Sequence, residues 1–190
     1  MKIITLLNKQ IRSEVIKKRY GGQRVVCFSC GNATDALEAA GVNVISVSPR
    51  SSLAAQNYIP PKEVERMFNA PDVTSGNLPP YLMLEIGKRF NEALRLFLDD
   101  EEIVSRQFIV PCGSGETIMA LANFIPLQNI TGYYSPFIPA INFTDWTPYY
   151  WFLKMNVRLM NIGKVAPDKT HELIEETAPL NSVLIATKEE

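Results

Sequence analysis

A chain of 190 residues, 46% of them apolar, is long enough for one compact domain with its own core. Its 19 basic and 20 acidic residues leave a net charge of −1, without the clustered Lys and Arg that a nucleic-acid surface requires. No apolar run approaches the ~20 residues that span a bilayer, so a membrane protein is not expected.

The opening "MKIITLLNKQ" turns polar too quickly for a signal peptide, and within it Lys2–Leu7 is a short β run. Gln10–Arg19 places Ile11, Val15 and Ile16 on one helical face, and Gly21-Gly22 ends it. Lys17-Lys18-Arg19 decorates the solvated end of that helix. Arg24–Phe28 reads as a buried strand. "SCGNAT" then turns into a helix over Asp35–Ala40, closed by Gly41, and Val42–Val47 is the next strand. Residues 50–80, rich in Pro, Ser and Asn, hold a short helix at Pro61–Phe68 and form a small mobile subdomain within a single domain of residues 1–190.

Tyr81–Leu98 is an amphipathic helix with Leu82, Ile86, Phe90, Leu94 and Phe97 on one face. Phe108–Val110 is a strand that runs through "CGSGET" into a further helix, followed by a strand at Ile130–Tyr134. "SPFIPAINFTDWTPYYWF" is an irregular connection packed by aromatics. Val157–Ile162 and Ser182–Ala186 are strands either side of a helix near Lys169–Thr177. The alternation predicts an α/β fold: a mostly parallel sheet in three layers, with helices on both faces. "CGNATDALEAAGVNVISVSP" and "CGSGETIMALANFIPLQNITGYYSP" repeat one loop–helix–strand unit. Any chain of this class reuses that unit, so the echo speaks to architecture only.

In such a sheet, loops at the carboxyl ends of strands form the ligand crevice. Gly113-Ser114-Gly115-Glu116-Thr117 offers bare backbone N–H groups and two hydroxyls, a combination that suits a phosphate dianion. It is not a P-loop, because no Lys-Ser/Thr follows the second glycine. Ser29-Cys30-Gly31-Asn32-Ala33-Thr34 has the same placement and presents an amide, which serves equally as a helix N-cap or as a donor to a phenolic ligand oxygen. Cys27-x-x-Cys30 lacks the second Cys or His pair that zinc needs, since Cys112 and His171 stand alone. Cys27 is read as core and His171 as solvated. Three cysteines are an odd number for a disulfide framework, so a reducing, cytoplasmic location is expected.

Taken in order, these pieces resemble the tryptophan-synthase-β-like (fold type II) family of pyridoxal-phosphate enzymes, which includes cysteine synthase and serine/threonine dehydratase. That family's phosphate cup is a strand, Gly-x-Gly-Gly-Thr and a helix, echoed by "FIVPCGSGETIMALANFIP" and then "ITGYYSP". Its Ser-Gly-Asn loop resembles "FSCGNATDALEAAGVNVISVSP", and its lysine motif resembles Asn8-Lys9-Gln10-Ile11-Arg12. "TSGNLPPYLMLEIGKRF" is similar to the lead into the long helix before the phosphate strand, so the likeness covers roughly Ile3 to Pro136.

The resemblance implies that Lys9 carries pyridoxal 5'-phosphate and serves as the base for the α-proton. Gly113, Ser114, Gly115 and Thr117 would hold the phosphate, and Asn32 the ring hydroxyl. Ser29, Cys30 and Gly31 would take the substrate carboxylate, and Thr187 would face the pyridine nitrogen. The reaction implied is β-elimination, β-replacement or deamination of a small amino acid, and family members are usually homodimers. The chain departs from the family in its shortness, in one extra residue between Lys9 and Arg12, and in Glu116 where glycine is usual. A carboxylate beside a phosphate is unfavourable unless it points away.

Two rival readings stand beside this one. "VPCGSGET" also resembles the nucleotide loop of S-adenosylmethionine-dependent methyltransferases, although "ITGYYSP" lacks the acidic residue that would hold the ribose. The other is a non-catalytic, shortened relic that acts as a binding protein.

Overall fold

The computed structural model describes residues 2–28, 32–47, 61–111, 115–134, 158–161 and 183–188. Strand β1 (Lys2–Leu6) leads directly into α1 (Asn8–Tyr20). Gly21, at φ 56°, ends that helix, and Lys17, Lys18 and Arg19 occupy its last turn, where cations favour the helix dipole. Strand β2 (Val25–Phe28), α2 (Asn32–Ala39) and β3 (Val44–Val47) follow. Helix α3 (Pro61–Phe68) lies where the sequence places it, while residues 50–60 of the expected subdomain fall outside the described residues.

Helix α4 (Pro80–Leu94) starts on a proline, whose fixed φ suits a first helical turn, and buries Leu82, Met83, Ile86, Phe90 and Leu94. It stops short of the expected Leu98, because Arg95–Phe97 turn out of the helix and leave Phe97 48% exposed. Helix α5 (Asp100–Ser105) is opened by a capping box. Asp99 accepts from the Glu102 N–H at 2.8 Å, and Glu102 accepts from the Asp99 N–H at 3.0 Å. Strand β4 (Gln107–Pro111), α6 (Glu116–Leu121), a 3₁₀ turn (Leu127–Asn129) and β5 (Ile130–Tyr134) complete the central unit. Strands β6 (Arg158–Asn161) and β7 (Val183–Lys188) come last. The expected helix near Lys169–Thr177 and the aromatic connection lie outside the described residues.

The α/β class holds and most strand pairs are parallel, but the described strands form two sheets rather than one. Five of them make a mixed sheet in the order β1-β7-β4-β5-β6, and β2 pairs with β3 in a second, two-stranded sheet. The β4–β5, β5–β6 and β2–β3 pairs are parallel, whereas β7 runs antiparallel to both β1 and β4. Alternation of strands and helices predicts the class without fixing the direction of a strand added from far along the chain. Both halves of the sequence echo are built alike: β2-α2-β3 and β4-α6-β5 each join two adjacent parallel strands through a helix.

One cluster of buried side chains binds these elements, with Ile4 and Leu6 from β1, Ile16 from α1, Ile86 and Phe90 from α4, Phe108 from β4 and Ile118 from α6. Full burial of each such side chain is worth about 1.5–3 kcal/mol, which fixes how the helices seat on the sheet. No helix among the described residues is long and apolar enough to cross a membrane.

Candidate functional site

Strand register places the candidate residues. Because β1 and β4 both run antiparallel to β7, they point the same way, and their carboxyl ends share one rim of the sheet. Helix α1 leaves that rim at Asn8, directly after β1, and α6 begins beyond it at Glu116. The two starts touch: the Asn8 carboxamide Nδ2 donates to Thr117 Oγ1 at 3.4 Å, across 109 residues of sequence. At that length the bond is weak, and its value is as a marker of proximity.

Lys9 follows Asn8 and is half-buried. Burial lowers its pKa below the ordinary 10.5. Asp35, in the first turn of α2, pulls the other way, and the Arg12 guanidinium adds to the lowering. The amine therefore stands near the start of α2, while the helix that carries it begins against α6 through Asn8. Gly115 caps α6 with φ 85°, a left-handed conformation that only glycine adopts at little cost. Asn32 is the first residue of α2, in chain order just after the first loop.

Ser29, Cys30, Gly31, Gly113 and Ser114 lie outside the described residues. Thr187 is on β7, paired with Lys2 and Phe108. Those partners are at the amino ends of β1 and β4, about 10 Å of strand from the rim where α1 and α6 begin. The register thus places Thr187 toward the other end of the strands from the start of α1. It sat near the chain end in a β-like run, which carries no information about register.

Glu116, the residue out of keeping with a phosphate loop, turns into the interior. Its Oε1 lies 2.5 Å from Arg12 Nε, and its Oε2 accepts from the Gly76 N–H at 3.0 Å. Arg12 also donates through Nη2 to the carbonyl of Val73. Burial opposes its charge, but Glu116, Cys27 and Asp72 together raise its pKa above the ordinary arginine value, so it is a permanent cation. Burial raises the Cys27 thiol pKa, against the pull of Arg12, which fits its reading as core. Asp72 is itself buried and satisfied, accepting from the Thr74 N–H at 2.9 Å and from Asn77 Nδ2 at 3.0 Å. The segment Asp72–Asn77 is thereby stitched beneath the rim.

Sequence reasoning missed the inward turn of Glu116 and the part played by Asn8 and Asp35. Arg12 lay within the quoted lysine motif, and its spacing of three from Lys9 was the available clue, since residues three apart share a helix face. Among the described residues, no three His, Cys, Asp or Glu side chains are grouped as a metal site needs.

A half-buried lysine is pushed toward its neutral form, and a threonine and a left-handed glycine lie at the same rim. Asn8 Oδ1 is a buried acceptor with no partner among the described residues. The carboxylate of Glu116, between Gly115 and Thr117, is committed to Arg12 and Gly76. No protein-family model matches this chain, and no curated protein matches it.

Proposed function

We propose that this protein is a pyridoxal-phosphate-dependent enzyme of reduced fold type II architecture, acting on a small amino acid by β-elimination, β-replacement or deamination. The observation that carries this reading is the Asn8–Thr117 contact, with Lys9 beside it and facing Asp35. An amine kept toward neutrality by burial is the kind that captures an aldehyde. When bound, the cofactor supplies an electron sink for charge developing at the substrate α-carbon.

The chain's own residues do the rest. Lys9 would hold the cofactor and would serve as the base for the substrate α-proton. Gly115 and Thr117, with Gly113 and Ser114, bind the phosphate through backbone N–H groups and hydroxyls. Asn32 donates to the ring hydroxyl. Ser29, Cys30 and Gly31 receive the substrate carboxylate. Glu116, drawn inward by Arg12, keeps its negative charge away from the phosphate.

The test is spectroscopic. Purified protein mixed with pyridoxal phosphate should develop a visible absorption band, and borohydride should fix the adduct to the peptide carrying Lys9. Lys9→Ala should abolish both. A colourless protein would sink the reading. Binding of labelled S-adenosylmethionine in the same preparation would promote the methyltransferase alternative, and silence in both assays would leave the binding relic. β5 (Ile130–Tyr134) contains no acidic residue to hold a ribose, so no observation favours the methyltransferase beforehand.

A further inference from the structure

Glu116 lies between Gly115 and Thr117, and its side chain does what no glycine could. It forms an ion pair with Arg12 in which the two side chains are only 8% and 5% exposed. Through Gly76 and Val73, that pair ties together α1, the start of α6 and the segment beneath the rim. Burying such a pair is costly, and apolar residues of similar volume often hold a core as well or better. Stability alone is therefore a poor reason for it. Its position suggests another: Arg12 stands three residues beyond Lys9 on the same helix, and Glu116 adjoins Thr117, which touches Asn8.

We propose that the Arg12–Glu116 pair is a positioning device for Lys9, fixing the first turn of α1 against Gly115–Thr117 and setting how readily the amine gives up its proton. This rests on Lys9 being the reactive amine of the proposed site. Among the described residues, the charges that act on Lys9 include Arg12 from its own helix and Asp35 from α2, which act in opposite senses. Glu116 offsets the charge of Arg12. The α6 contact, through Thr117, is uncharged. Helix α4 brings Glu85 to Lys18, at the far end of α1.

The experiment needs no cofactor. The full chain is reductively methylated with formaldehyde and cyanoborohydride across a pH series, and modification of the Lys9 peptide is followed by mass spectrometry, with exposed Lys88 as internal reference. Glu116→Gln leaves the Arg12 charge uncompensated, so the Lys9 midpoint should fall by roughly half a pH unit. Arg12→Gln combined with Glu116→Gln removes both charges with little change of shape, and the midpoint should rise above that of the parent protein. Arg12→Lys should keep the parent midpoint. An unmoved midpoint in folded Glu116→Gln and in the folded double variant would overturn the proposal, and so would failure of all three to fold, since the pair would then be structural alone. A midpoint that shifts in a chain that never binds pyridoxal phosphate would retain the positioning role and discard the cofactor reading. Binding with an unmoved midpoint would do the reverse.

Discussion

A β-carbon on Gly87 would stand 2.3 Å from the carbonyl oxygen of Ala120 and 3.0 Å from Cε2 of Phe124. Helices α4 and α6 therefore cross backbone against backbone, and α6 is the helix that carries Thr117. On propensity alone, Gly87→Ala would gain about 1 kcal/mol in a helix interior. A carbonyl oxygen cannot swing aside as a side chain can, so overpacking should prevail, with a net loss of about 1–3 kcal/mol. Urea denaturation should show a lower midpoint with an unchanged slope. A more stable variant would mean that the helices do not meet as described.

The buried ion pair gives a second prediction. Arg12→Met alone leaves Glu116 without its cation, and Glu116→Leu alone strands Arg12. Each should cost about 3–5 kcal/mol. The double variant should recover most of that loss, giving a large coupling energy in a double-mutant cycle by urea denaturation. Simple additivity would show that the two side chains do not share one environment.

Much of the scaffold was legible, for local reasons. Helix α3 has the expected bounds because Pro61 supplies a first-turn residue, and the Gly21-Gly22 stop of α1 is equally local. Helix α4 was read four residues too long at its end, since Leu98 and Phe97 keep helical spacing after the helix has stopped at Leu94. Helix α5 went unread although Asp99 and Glu102 are a capping-box pair; six residues are too few for an apolar stripe. The antiparallel insertion of β7 had no local signature.

For the site, Gly115 and Thr117 were visible because small, hydroxylated residues after a strand are unusual. Which way Glu116 points was not, because its partner is 104 residues away and nothing beside it in sequence specifies the direction. Asp35 was likewise silent, being an ordinary exposed residue of a first helical turn until the fold brings Lys9 near it.

Gly115 supports a third prediction. Its φ of 85° and ψ of −4° place it in the left-handed region at the cap of α6. Gly115→Ala should cost about 1–2 kcal/mol from the β-carbon clash alone. Gly115→Asn should cost less, since asparagine tolerates that conformation. If the proposed phosphate contact holds, the alanine variant should also bind pyridoxal phosphate more weakly, measured by titrating the visible band. Equal stability of the alanine and asparagine variants would remove the conformational argument.

The fourth prediction concerns Lys9 and pH. In the folded chain, burial first and Arg12 second hold the amine below its ordinary 10.5, against the opposing pull of Asp35, while in the unfolded chain it titrates at the ordinary value. Between those two values the unfolded state binds the proton more tightly, so stability rises with pH across that window. Below the folded value the penalty is present in full, and above 10.5 it vanishes. Lys9→Met removes the titrating group while keeping an unbranched side chain, so at neutral pH it should raise Tm by about 1–3 °C. The gain should shrink to nothing as pH passes the ordinary lysine value. The same variant should lose the borohydride-fixed label, giving a more stable and inert protein. A fall in Tm at neutral pH would show that the amine is held by favourable contacts rather than strained by burial, and with that the physical basis for its reactivity would go.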